Sequence, residues 1–386
     1  MTRTAMKSLT TLALSLFSAA SLAAPLDIEE QRLPSATESL GSSVTQRYQS
    51  QVATLLGHYQ ADRNELSVTR QMAEDGQALW RAAVEDVQAG QLDDRSLYWA
   101  RLAARAAIKQ HNPDFRMAEW QRTVLLNTLE NASRGMSDIR FDDDAQFRIL
   151  LTGFDPFLLD RDIAQSNPSG IVALALDGER WQVNGRKVQV ETAMIPVRFE
   201  DFDNGMIEAL LTPYLRDNRV NMVVTVSMGR EQFDLERFPG RNRSATAPDN
   251  RNVLTGANKK QPLPPSLNGG PLNGPEFVEF SLPVSAMQTA PGAFDINDNR
   301  NITTLNGPLA ARSLAQLNQD VSVEGSGGGY LSNEISYRSI LLRDLLGSRV
   351  AVGHIHTPKI TGHDAETSAA ILTQVRAMLN QAAQAQ

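Results

Sequence analysis

Between Val44 and about Ala132 the apolar residues recur three, four or seven positions apart: Val44, Tyr48, Val52, Leu55 and Tyr59; then Met72, Leu79, Ala83 and Val87; then Met117, Trp120 and Val124. That is the spacing of helices that each bury one stripe, and Gly90 and Pro113 punctuate the runs. The pattern predicts several amphipathic helices packed together, a packing region or a docking face for a protein partner. Residues 24–43 are polar, carry Pro25 and Pro34, and read as a loose leader. After the acidic segment FDDDAQF (141–147) the texture changes. Short β-branched runs at RILLTGF (148–154), KVQVETAMIPV (187–197), NMVVTVSMG (221–229) and RVAVGHIHTP (349–358) alternate with helical patterns. Such alternation predicts an α/β sheet with helices on its faces, and sites form in the loops after the C-terminal strand ends. Residues 251–275 and 288–312, rich in Asn, Gly and Pro, read as long surface loops.

The first residues, MTRTAMKSLTTLALSLFSAASLAAP, place Arg3 and Lys7 before a short apolar run that ends in Ser21-Leu22-Ala23. This is the layout of a cleavable signal peptide over residues 1–23, cut after Ala23, and it predicts a periplasmic or secreted protein. The remaining chain divides into a helical region (24–145) and an α/β domain (146–386). No later segment approaches the ~20 apolar residues of a membrane span. The net charge of −7, with no basic stripe, argues against nucleic acid. The chain has no cysteine, so neither a disulfide nor thiol chemistry is available.

Three loops carry polar groups of complementary chemistry. In GGGYLSNEIS (327–336) glycines lead into what reads as a helix start, where free N–H groups stabilise an anion. Ser332 there is a candidate nucleophile, His356 a candidate base and Glu236 the carboxylate that orients the base. Each also has an ordinary reading: Ser332 as a helix cap, Glu236 as a surface ion pair beside Arg237, His356 as a packed side chain. Of the five histidines, His354, His356 and His363 lie within ten residues, and on a strand the first two share a face, as two metal ligands do. No carboxylate or cysteine set completes such a site, so no metal or other cofactor is expected.

Together these segments resemble the pyroglutamyl peptidase type I (pyrrolidone-carboxylate peptidase) family of cysteine peptidases. LLTGFDPF (150–157) followed by NPS (167–169) is similar to the family's T-G-F-[ED]-P-F and N-P-S, and IPVRF (195–199) to its next strand. GREQFDLERFPGRNRSATAPDN (229–250) resembles its G-R, E-R and P-D-N run, GGGYLSNEISY (327–337) its G-T-Y-[LV]-C-N-x3-Y, and GHIHTP (353–358) its G-F-I-H-x-P. The resemblance covers about 146–384. It implies an open twisted mixed sheet sandwiched by helices, a catalytic glutamate at Glu236, a histidine at His356 and a nucleophile at Ser332, where the family has cysteine. It further implies that Phe154 and Phe157 sandwich a flat pyroglutamyl ring, with Asn167 on the same loop. Met228, Pro239 and Arg241 also depart from the family, which has Gly, Ala and Asn there. Two functions follow as expectations: recognition and slow hydrolysis of N-terminal pyroglutamyl groups on peptides, or a silent binding or scaffold protein on the same frame.

Overall fold

The computed structural model describes residues 24–386, and the signal peptide expected over 1–23 lies outside the described residues. Helices come first: α1 (Ile28–Gln31), α2 (Leu33–Leu40), α3 (Ser42–Thr45), α4 (Gln49–Ala61), α5 (Glu65–Gln88), α6 (Arg95–Gln110) and α7 (Glu119–Ala132). The Asn64 side chain caps α5 by accepting from Ser67 N, and its buried stripe is Val68, Met72, Leu79, Trp80, Ala83 and Val87.

Two expectations for this region are corrected. Residues 24–43 are not loose: Asp27 and Glu30 form a capping box on α1, Glu30 pairs with Arg105 and Lys109, and Glu29 pairs with Arg198. A polar leader is held because cations far along the chain are waiting for it. On α7 the buried face is Leu125, Leu129 and Ala132, whereas Trp120 is 63% and Val124 43% exposed. Arg122 takes an inward position instead, since its guanidinium donates to Tyr59 Oη and to the carbonyls of Ile108 and His111.

The second part alternates strands and helices: β1 (Phe147–Phe154), α8 (Pro168–Leu176), β2 (Arg180–Val183), β3 (Arg186–Ile195), α9 (Phe199–Asp203), α10 (Met206–Leu215), β4 (Met222–Met228) and β5 (Phe233–Glu236). A small hairpin, β6 (Ser266–Leu267) and β7 (Gly270–Pro271), and helix α11 (Val284–Met287) follow, then β8 (Ile296–Asn299), β9 (Asn301–Thr304), β10 (Gly307–Ala310) and β11 (Ser322–Glu324). Helix α12 (Leu331–Leu345), β12 (Ala351–Thr357) and α13 (Ala365–Ala385) close the chain. The stretches expected as long surface loops therefore hold the β6–β7 hairpin, the edge strand β8 and most of a small β10-β9-β11 sheet.

The main sheet is mixed, in the order β2-β3-β1-β4-β12-β5-β8. β3, β1, β4 and β12 run parallel, while β2 is antiparallel to β3 and β5 antiparallel to β12. Helices cover both faces, which is why β12 is buried along its whole length. α8 and α13 lie on one face; α12, with α10 beside it, lies on the other. α8 is buried at every position because α5 covers its outer side, so the apolar core continues from Leu79, Trp80 and Val87 into the sheet. The chain passes from β1 to β3 on one side and then to β4 on the other. A crevice at the C-terminal end of β1 is the consequence.

Candidate active site

The C-terminal ends of β1, β4 and β12 meet the start of α12 at that crevice. A cavity of about 100 Å³ opens there, with Phe154, Phe157 and Asn167 on one side and Ser227, Met228 and Ser332 on others. Val197, Tyr330 and Leu331 complete its wall.

Ser332 is the second residue of α12, after the cap residue Tyr330, whose side chain makes no capping bond. The first-turn N–H groups of a helix have no intrahelical acceptor and carry its positive end, so an anion formed at Ser332 meets donors. Gly328 enters the preceding turn at φ +88, a backbone conformation that L side chains rarely adopt. The turn is fastened from the 237–250 run. Asn333 exchanges hydrogen bonds with both backbone groups of Gly240 (3.0 and 2.7 Å), and Glu334 is paired with Arg243 at 2.6 Å. Ser244 N donates to Gly329 O. The P-D-N loop holds the other walls: Pro248 O accepts from Tyr330 Oη, the Asp249 carboxylate from Phe199 N, and Asn250 donates to Pro156 O and Val197 O.

Glu236, at the end of β5, is fully buried, and its Oε1 lies 2.6 Å from Nδ1 of His356 on β12. A buried carboxylate accepting Nδ1–H leaves Nε2 as the basic nitrogen of the imidazole. Glu236 Oε2 accepts from Asn299 Nδ2 at 2.9 Å. Pairing is antiparallel with His356 opposite Asp234, which brings residues 120 positions apart onto adjacent strands. Arg237 has turned away to pair with Asp298. The imidazole is packed against the glycine turn: a Cβ on Gly327 would stand 3.5 Å from its Cε1. The Ser332 hydroxyl donates to Gly327 O at 3.4 Å, and among the described residues no hydrogen bond joins it to His356. The structure thus brings Glu236 and His356 into contact and sets Ser332 on the adjoining turn.

Phe154 is buried and stacks parallel to Phe202 with 6.4 Å between centroids, while Phe157 is half-buried at the cavity wall. Asn167 caps α8: its Oδ1 accepts from Ser169 N and Ser169 Oγ, and its Nδ2 donates to Asp155 O. Of the departures, Met228 lines the cavity, whereas Arg241 pairs with Glu276.

Ser227, Asp94 and Asn299 contribute without any role read from the sequence, and His354, weighed there only as a metal ligand, is a fourth contributor. Ser227 lines the cavity and its Oγ lies 2.7 Å from Nε2 of His354, which at its other nitrogen meets Thr225 Oγ1 at 2.7 Å. Both nitrogens of His354 are therefore engaged by hydroxyls, and His363 lies apart, near Asp93 and Arg95. Among the described residues no three His, Cys, Asp or Glu gather as a metal site. Burial, and secondarily the neighbouring His356, hold the His354 imidazole well below its usual range. Asp94, from the helical region, accepts from Ser166 Oγ and Asn167 N, and burial pushes its carboxyl up to about 8. Asn299 steadies Glu236. The sequence offered a signal only for His354, since GHIHTP has His where the resembled motif has Phe.

These features define a class: an α/β protein with a buried carboxylate–imidazole pair next to a small cavity bearing two phenylalanines and two serines. The chain belongs to the PA0049 family: the C-terminal domain model matches residues 148–292 and 294–361, and the N-terminal domain model residues 13–130. A relative from Pseudomonas aeruginosa, described as "Uncharacterized protein PA0049", is 30% identical over 385 residues, covering 76% of this chain and 70% of its own. Among solved structures, pyrrolidone carboxyl peptidase from the hyperthermophile Pyrococcus furiosus, in a set with its Cys-free mutant, matches with TM-score 0.43 and 19% identity. A point mutant of the same enzyme matches with TM-score 0.42 and 20% identity; each covers 62% of this chain and 99% of its own. No helix among the described residues is long and apolar enough to cross a membrane.

Proposed function

We propose that this chain is exported through its first 23 residues and binds N-terminal pyroglutamyl groups of peptides in the cavity between Phe154 and Phe157, with Ser332, His356 and Glu236 as a hydrolytic triad. The observation that carries this reading is the 2.6 Å pair of buried Glu236 with His356, beside a cavity lined by Ser332 and two phenyl rings. A planar lactam gains most of its affinity from burial against such faces. In the proposed reaction His356 Nε2 takes the Ser332 proton as Oγ attacks the pyroglutamyl carbonyl. The N–H groups at the start of α12 hold the oxyanion, and the imidazolium then protonates the leaving amine. Water repeats the cycle on the acyl-enzyme. Glu236 stabilises the imidazolium without itself taking the proton.

A second reading, binding without turnover, is favoured by one observation: Ser332 Oγ bonds to Gly327 O rather than to the imidazole. A serine hydroxyl needs an aligned base, whereas cysteine is nucleophilic with less help. Turnover of a chromogenic pyroglutamyl amide separates the two. Activity lost in Ser332→Ala establishes the hydrolase. An inert wild type with activity gained in Ser332→Cys establishes a pocket and base that serine limits. An inert and folded Cys variant leaves the binding protein.

A further inference from the structure

Two serines line the cavity, and the one whose hydroxyl meets an imidazole is Ser227. Its hydrogen-bond direction follows from its neighbours. Thr225 and Ser227 share a face of β4, as His354 and His356 share a face of β12, and the two strands are adjacent and parallel. Thr225 Oγ1 lies 3.3 Å from Gly353 O and 2.7 Å from His354 Nδ1; with its one proton assigned to the carbonyl, which can only accept, it accepts from His354 and Nδ1 carries the imidazole proton. In that tautomer Nε2 is a bare acceptor, and the proton in the 2.7 Å contact is that of Ser227. His354 is fully buried and stays neutral, so this arrangement does not change in the physiological pH range.

With its proton committed to His354, Ser227 Oγ offers the cavity lone pairs alone. Resting on the lactam-pocket reading above, we infer that Ser227 is the specificity-determining residue of the cavity: fixed as an acceptor by His354, it selects a ring that presents an N–H and rejects the isosteric ring that presents an oxygen. A lactam N–H would donate to Oγ, whereas a lactone oxygen would set lone pair against lone pair. His354 is a positioning residue, because it touches the hydroxyl and not the ligand. This explains why His stands at 354 together with Ser at 227: without Ser227 the buried Nε2 would lose its partner, and without His354 the Ser227 hydroxyl would lose the acceptor that fixes its proton.

The test compares binding of L-pyroglutamamide with that of the lactone in which a ring oxygen replaces the ring N–H, by titration calorimetry on the wild type, Ser227→Ala and His354→Phe. The wild type should prefer the lactam by about tenfold or more, the cost of leaving a buried acceptor unpaired. Ser227→Ala should weaken lactam binding until the two ligands lie within about threefold, and His354→Phe should narrow the gap because the freed hydroxyl can turn its proton. Should Ser227→Ala unfold because Nε2 loses its donor, the Ser227→Ala/His354→Phe double variant carries the same comparison. A wild type that binds both rings within about threefold, or a Ser227→Ala that keeps the full preference, overturns this inference and leaves the pocket reading standing. Failure of both rings to bind removes the pocket reading and the inference together.

Discussion

The ion-pair cluster between the helical region and the sheet offers a quantitative test of what holds the cavity wall. Counting contacts of 3.3 Å or less, five acids (Asp27, Glu29, Glu30, Glu130 and Asp155) are linked to five bases (Arg101, Arg105, Lys109, Arg134 and Arg198) in one network. Glu130 is its hub, accepting from Arg105 at 2.7 Å, Arg134 at 2.7 Å and Arg198 at 3.0 Å. Glu130→Gln keeps the shape but leaves four acids against five bases, one buried positive charge without a counterion. Removing one member of a buried ion cluster costs about 3–5 kcal/mol, and that is the destabilisation expected at pH 7. Burial pushes the Glu130 carboxyl up, but the guanidiniums of Arg198, Arg134 and Arg105 outweigh it and hold it well below the usual range. A depressed carboxyl contributes stability that is present above its unfolded value and lost as pH falls through the folded one. The wild type should therefore lose stability in acid below about pH 4.5, more steeply than the variant, by the share of one carboxylate. Urea unfolding followed by circular dichroism and by the buried Trp80 and Trp99 measures both effects. A variant within about 1 kcal/mol of wild type at pH 7, with a parallel acid profile, would refute the reasoning.

Glu191 gives the opposite pH sign. Burial, and then the charge of Asp177, raise it to about 7, so its contribution is full below its unfolded value and is lost as pH rises through about 7. Glu191→Gln should raise stability at pH 8 by about 1–3 kcal/mol and flatten the profile between pH 5 and 8, which melting temperatures will report. The two cavity phenylalanines should separate: Phe154→Ala, losing a buried ring stacked on Phe202, costs about 3–5 kcal/mol of stability, whereas Phe157→Ala is felt chiefly as weaker binding of L-pyroglutamamide. Equal stability loss at both positions would contradict the placement of Phe157 at the cavity wall. For Ser332→Cys, measurable hydrolysis of a pyroglutamyl amide with little in the wild type is the expected result.

How much of this was legible beforehand depended on the range of the interaction. The strands RILLTGF, NMVVTVSMG and RVAVGHIHTP are locally consistent apolar runs, and they form β1, β4 and β12. The helical run of 44–132 was likewise visible, because a stripe repeats within a few residues of itself. Where a charged side chain took an inward position the pattern misled: Arg122 faces inward on α7 and Trp120 outward, since carbonyls from another segment satisfy the guanidinium. The polar leader became an anchored element for the same reason. Site chemistry shows the same division. The residue types at Ser332, His356 and Glu236 were readable from ordered motifs, and the sequence by itself determined which groups were available for chemistry. Only the tertiary structure decided which nitrogen of which histidine meets which hydroxyl. Strand register set His354 opposite Thr225 and His356 opposite Ser227, so that His354 reaches both hydroxyls, and register is set by the summed packing of the sheet rather than by any local stretch.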